Sequence, residues 1–464
     1  MQSRRDLYQA YRLMVQRVGL ALIHGEPDRS EWPLRGQNMA FVAGLAVAAL
    51  VAAGFAVWGL LQPAAGKALE APGTLIVERE TGARYVYSQA DHRLVPVANY
   101  ASARLILDAN DITEQVVSRD VLNAYERAPE VGIPGAPDSL PLAARLARGP
   151  LSICVREGED EAGGRKPYVT LIVGRDVGGR HVGDETALIV DFGGQDWVIW
   201  HDTRMRASTP EMRGLTADEP GAVPQTWLNA LPEGPDFAAP AIPERGRPVT
   251  GPDGGTAAVG QIFRVDPVAG GEARWYVLLD DGLAPISHTQ ATLLLNAPES
   301  KAAYGGGAVT EIRIDAATAN AAPQSRTRPA SDGLPPTMPK MAAYDPAQPL
   351  CAVYSDVAKG SAQARLVVGG DVPPPRPDPS DFVRLPPGQA MLAGLLPGDG
   401  RPAATQTYYL VTDQGKRFAV PDKDLLPKLG YDPAQATPVP ANVLQLIPEG
   451  PVLDPARAAK PVTE

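Results

Sequence analysis

The chain has 464 residues, 44% of them hydrophobic, 21% charged and 6% aromatic, with a net charge of −10. That is too hydrophobic for a disordered chain, while 48 Pro and 46 Gly are too many for a helical one. Pro and Gly follow no triplet period, which excludes collagen, and no stretch concentrates Lys and Arg, so no nucleic-acid partner is expected. Two cysteines allow one disulfide and no Cys-based zinc cluster. At roughly 100–200 residues per domain, the length predicts about two to four folding units.

Leu7, Tyr11, Met14, Val18 and Leu22 follow 4-3-4-4 spacing, which predicts an amphipathic helix from about Arg4 to Ile23. Arg5, Arg12 and Gln16 lie away from the stripe. A lone helix has no core of its own, so it either lies on a lipid leaflet or docks on a protein. Asp6 and the lack of Lys favour a protein contact through those five residues. His24-Gly25-Glu26-Pro27-Asp28 ends the helix, and a polar linker completes residues 1–38.

Residues 39–61 read MAFVAGLAVAALVAAGFAVWGLL, without a charge. At 1.5 Å per residue this spans the roughly 30 Å hydrocarbon core with some tilt. A cleaved signal peptide has a shorter apolar region nearer the start, so a retained anchor is expected. No other window is apolar for long enough, so a single crossing is expected. Arg4, Arg5, Arg12, Arg17, Arg29 and Arg35 outnumber Asp6, Glu26, Asp28 and Glu31 before the anchor. This bias places the N-terminus in the cytoplasm and the bulk of the chain beyond the cytoplasmic membrane. Trp58 suits the outer interface. Gly44 and Ala48 form a small-xxx-small pair that admits a second helix, although an Ala-rich span contains such pairs by chance.

The remainder repeats itself. Residues 83–107 resemble 273–295, GPLSIC (149–154) resembles QPLC (348–351), and LNALPEGPDF (228–237) resembles LQLIPEGPVLD (444–454). Three pieces recur in one order, about 190–215 residues apart. β-branched and aromatic runs broken by Asp-Gly, Gly-Gly and Gln-Gly turns predict hairpins, with short helices at 288–295 and 422–429. The expected fold is therefore mainly β with short helices: four small repeats around a central β-domain of two half-copies with pseudo-two-fold duplication. The expected limits are 62–127, 196–245, 256–315 and 388–450 for the repeats. The central halves are expected at 142–195 and 340–372, with a disordered tail at 451–464. Cys154 and Cys351 sit at offsets of equal parity from equivalent prolines, so both thiols point to one side of a strand. Outside the cytoplasm a disulfide is the default, with two buried free thiols as the alternative.

No pattern in the chain nominates a catalytic residue, a cofactor or a metal site. A phosphate-cradling P-loop needs Gly-x-x-x-x-Gly-Lys-Ser/Thr, and neither Gly66-Lys67 nor Gly415-Lys416 has the first Gly or the Ser/Thr. The five histidines are scattered. His201-Asp202 reads as a turn, and the acidic run Glu157–Glu161 as a solvated loop.

RRDLYQAYRLMVQRVGLALIHGEPD (4–28), PLRG (33–36), the single apolar span and PLC (349–351) together resemble the EccB component of actinobacterial type VII (ESX) secretion systems. The resemblance covers essentially the whole chain. It implies one transmembrane helix, an elongated outer region with four repeats and a disulfide, and self-association through that region. It also implies membership of an inner-membrane complex with EccC, the motor ATPase, EccD and EccE. Some members are labelled ATPases; without a P-loop, the expectation for this chain is a non-enzymatic structural subunit. The alternatives are an enzyme acting on nucleotide or cell wall, and a wall-binding module.

Overall fold

In a computed structural model, the described residues are 4–25, 34–61, 68–107, 109, 111–160, 162–207, 212, 215–267, 270–329, 333–355, 363–374, 382–396 and 407–462. They form two compact units, Met1–Glu70 and Ala71–Glu464. The first unit holds α1 (Arg4–His24) and α2 (Leu34–Leu61). Within α2, Met39–Val57 has a mean hydropathy of 2.4 and none of it is buried inside the chain, so it is long and apolar enough to cross a membrane. Linker residues 26–33, the side chain of Trp58 and Glu161 lie outside the described residues.

The second unit is mainly β. Its first sheet comprises β1 (Thr74–Glu78), β2 (Arg84–Ser88), β3 (Arg93–Val97) and β4 (Thr113–Val117). Next come β5 (Leu151–Glu159), β6 (Arg165–Val173) and β7 (Arg180–His181). A second sheet holds β8 (Thr186–Phe192), β9 (Gln195–Trp200), β10 (Thr203–Arg206) and β11 (Gly221–Ala222). The hairpin β12 (Pro248–Thr250) and β13 (Thr256–Ala258) precedes a third sheet. That sheet holds β14 (Ile262–Val265), β15 (Arg274–Leu279), β16 (Gly282–Ile286) and β17 (Ile312–Arg313). Then follow β18 (Lys340–Ala343), β19 (Leu350–Tyr354), β20 (Arg365–Val368) and β21 (Val383–Arg384). The last sheet holds β22 (Ala390–Leu395), β23 (Tyr408–Thr412), β24 (Arg417–Val420) and β25 (Thr437–Val439).

The four sheets share one strand order, third-second-first-fourth, with the fourth strand parallel to the first. Because a parallel return needs a crossover, helices intervene between the third and fourth strands. Tyr100–Leu107, His288–Asn296 and Leu426–Leu429 fill that role in three sheets. At the second of these, Ser287 and Gln290 form a reciprocal capping box. After each fourth strand a short helix leads to a tail that hydrogen-bonds the third strand. The amides of Leu94, Arg204, Leu283 and Arg417 donate to Glu126, Pro232, Pro323 and Pro448. In return the carbonyls of Leu94, Arg204, Leu283 and Arg417 accept from the amides of Ala128, Gly234, Ser325 and Gly450. In the second and fourth sheets the same strand residue stacks its guanidinium on an aromatic ring: Arg204 on Trp197 and Arg417 on Tyr409. Each also pairs with a tail carboxylate, Glu233 or Glu449.

The centre is a six-stranded sheet, β21-β6-β5-β19-β20-β7. Its middle strands are antiparallel with Cys154 directly opposite Cys351. Alternation along β5 then sorts the residues by face. Leu151, Ile153 and Val155 join Trp227, Leu228, Val443 and Leu444 in the main core, so the second and fourth sheets and their helices cover one face. On the opposite face Cys154 and Cys351 pack among Ile172, Val177, Val353, Val367 and Val372.

Several expected limits need correction. A boundary at 195/196 would cut the β8–β9 hairpin, whose strands pair from Leu188↔Ile199 to Phe192↔Gln195; Thr186–Phe192 therefore belongs to the second sheet. β21 adds to the central sheet beyond the expected end at 372. The third repeat extends past 315, because Ala316–Ala321 is helical and its tail bonds β16. The expected disordered tail packs instead: Leu453 and Ala458 are fully buried, and Val462 donates to the Glu130 carbonyl at 2.9 Å. Proline richness suggested disorder there, but apolar residues at 453 and 458 have a core to enter.

Candidate functional site

Four features predicted from the sequence, the arm, the anchor pair, the cysteines and the turn residues, can be placed. On α1, Leu7, Tyr11, Met14, Val18 and Leu22 are 52–83% exposed among the described residues. Tyr8 and Val15, also exposed, lie at i+1 from Leu7 and Met14. Seen as heptads, Leu7, Tyr11, Met14 and Val18 occupy the seam, with Tyr8, Val15 and Leu22 beside it, giving an apolar arc wider than a two-stranded coiled-coil seam. The 4-3-4-4 reading did not include Tyr8 and Val15, which adjacent heptad positions add to the arc. On α2, Gly44 and Ala48 are exposed, and a Cβ built at Gly44 meets nothing within 4 Å.

Cys154 and Cys351 form a disulfide across a separation of 197 residues, and both are at most 1% exposed. The bond joins the hairpin β5–β6 to the hairpin β19–β20 at the middle of the central sheet.

Three tyrosines bury their hydroxyls, Tyr344 and Tyr354 in the main core and Tyr431 in the core between the first and fourth sheets. The Tyr344 hydroxyl shares its one proton between the carbonyls of Val155 (3.1 Å) and Gln348 (3.0 Å). Tyr354 donates to the Ala230 carbonyl, which also accepts from Asn442 Nδ2. Tyr431 donates to the Pro141 carbonyl at 2.9 Å. Burial disfavours the phenolate and pushes all three hydroxyls well above the ordinary tyrosine value. In the first sheet, Glu78 is 3% exposed and is held below the usual carboxylate value, chiefly by its hydrogen bond from Arg119 Nε at 2.6 Å.

His201 and Asp202 occupy the turn between β9 and β10, with His201 at φ 56° and its Nε2 3.5 Å from Asp184. In the acidic run, Glu157 pairs with Arg165 at 3.0 Å, and Asp160 Oδ1 accepts from the amides of Ala162 and Gly164, closing its own turn. Gly415-Lys416 is the β23–β24 hairpin turn, not the strand-to-helix loop that cradles phosphate. Among the described residues no group of three or more His, Cys, Asp or Glu could hold a metal ion. A groove of about 560 Å³ beside the first sheet is walled by Val86, Tyr87, Val95, Ile106, Val131 and Pro461.

Residues 2–461 match the family described as type VII secretion system ESX-1, transport TM domain B, the EccB family. Among curated relatives, the ESX-2 secretion system ATPase EccB2 of Mycobacterium tuberculosis is 29% identical over 450 residues, covering 90% of this chain and 87% of that protein. The ESX-5 secretion system ATPase EccB5 of the same species is 26% identical, covering 98% and 93%. Among solved structures, a chain of an intact ESX-5 inner membrane complex aligns with a TM-score of 0.63 at 25% identity, over 100% of this chain and 96% of that one. An EccB3 dimer from the ESX-3 core complex shares the fold, with a TM-score of 0.61 at 23% identity, covering 83% and 99%. These relatives are named ATPases, which overturns the expectation that the chain is not an enzyme. The missing P-loop excludes one kind of phosphate cradle and nothing wider. Taken together, the apolar helix, the four like sheets, the disulfide-tied centre and the match along nearly the whole length show that this chain belongs to the EccB family of type VII secretion components.

Proposed function

We propose that the chain is a single-pass subunit of an ESX inner-membrane complex that ties a cytoplasmic partner to an extracytoplasmic assembly. The observation that carries this reading is the exposed apolar arc of α1 on the same chain as the apolar helix α2. In this proposal the Arg bias sets the N-terminus in the cytoplasm, where α1 docks on an EccC-, EccD- or EccE-type subunit. The second unit lies on the far side and associates with further subunits there. Gly44 and Ala48 allow a neighbouring helix to approach α2 in the membrane.

Replacing Leu7, Met14 and Val18 with Asp places charge in the arc. Co-purification of partner subunits from detergent-solubilised membranes is then lost and secretion stops. Retention of both overturns the docking role. The relatives' name favours ATP hydrolysis as a second reading. Phosphate release by the purified full chain, above a heat-denatured control, tests it directly.

A further inference from the structure

We infer that residues 71–243 and 244–464 are two interlocked halves, each the obligate partner of the other, and that the peptide link between them is a tether the fold does not need.

The first observation is where the strands pair. The central sheet alternates between halves: β5 and β6 are joined to β19 and β20, then β7 from the first half caps β20 while β21 from the second caps β6. The strands leading into the centre also cross over. β18 pairs with β8 of the second sheet, and the Ala147 amide donates to the Ala390 carbonyl of the fourth sheet at 2.8 Å. Side chains repeat the pattern. Ala101 and Leu105 of the first sheet's helix are buried with Leu410, Phe418 and Leu429 of the fourth sheet. Leu293 of the third sheet's helix is buried with Ile189, Val198 and Phe237 of the second. A half taken alone would keep only a hairpin at its centre, and an isolated hairpin is at best marginally stable.

The second observation concerns how each half ends. Phe237 donates its amide to the Arg206 carbonyl at 2.7 Å, and Ile242 then packs on the third sheet's core. In the equivalent place Leu453 donates to the Ala419 carbonyl at 2.8 Å. Ala458 then packs beside Ala101, and Pro461 bridges to Val131. The connection between halves thus docks as the C-terminal segment docks. Pro243 and Glu244, where the chain passes across, are both exposed.

The test uses the full chain in detergent with a protease site inserted between Pro243 and Glu244, and with Cys154→Ala and Cys351→Ala removing the covalent bond. After cleavage the two fragments are expected to migrate as one species in size-exclusion chromatography and to unfold in a single transition. Separation of the fragments, or two transitions, overturns the inference. If the uncut insertion variant does not fold, 1–243 co-expressed with 244–464 carrying a cleavable export signal, both with native cysteines, decides. A disulfide-linked heterodimer supports interlocking, whereas homodimers or independently folded monomers overturn it.

Discussion

The Ala230 carbonyl offers a sharp test of how the two central coverings are joined. It is fully buried, and it accepts from Tyr354 Oη of the central sheet and from Asn442 Nδ2 of the helix Ala441–Leu444. Tyr354→Phe removes one donor and leaves the other, so it should cost about 1 kcal/mol, the net worth of one hydrogen bond. Asn442→Ala should cost a similar ~1 kcal/mol. The double variant strips a buried carbonyl of both donors and adds a desolvation penalty of about 1–3 kcal/mol, so the total should exceed the sum of the singles. Urea unfolding of the full chain followed by Trp fluorescence measures the cycle, since Trp227 is fully buried in the same core. Additivity to within about 0.5 kcal/mol would show that this carbonyl does not couple the two elements, and the reasoning would fail.

The three buried tyrosines set an alkaline limit. Their folded values are raised, so the stability they contribute is complete below the ordinary tyrosine value of 10.0 and is lost as pH rises through the folded values. Tyrosinate absorbance from these groups should appear together with unfolding, and ionisation of all tyrosines at pH 10 in folded protein would contradict this. Replacing Cys154 and Cys351 with Ala should cost about 2–5 kcal/mol, given the long loop the bond closes. Because both sulfurs are buried, reductant should expose no labelled thiol, read by mass, until the chain is unfolded. Gly221→Ala should destabilise by at least ~1–3 kcal/mol, because the new Cβ would lie 2.2 Å from the Tyr344 carbonyl oxygen. An unchanged urea midpoint would refute that close approach.

What neighbouring residues encode was legible in the letters: the helical arm, the apolar helix, β-rich runs with short helices at 288 and 422, and a half-copy pattern that places the cysteines equivalently. Each depends on period, charge or turn chemistry within a few dozen residues. The five arm residues lie exposed on the helix, as do Tyr8 and Val15 beside them, which a count of one helical stripe does not include. The edges on which strands meet were not legible. TALIVDFGGQDWVIW reads as the same hairpin whichever sheet it joins, and the tertiary structure assigned it to the second sheet by pairing β8 with β9, β11 and β18. β7, β11 and β21 have two residues each, too few to show a period, and exist because a longer strand from elsewhere presents a free edge. The tail after Gly450 spaces three prolines among its apolar residues with no helical or strand period, and the core between the first and fourth sheets receives Leu453 and Ala458. Pairing between strands some 200 residues apart is selected by the whole set of competing edges and cores, so it belongs to the folded molecule rather than to any segment of its sequence.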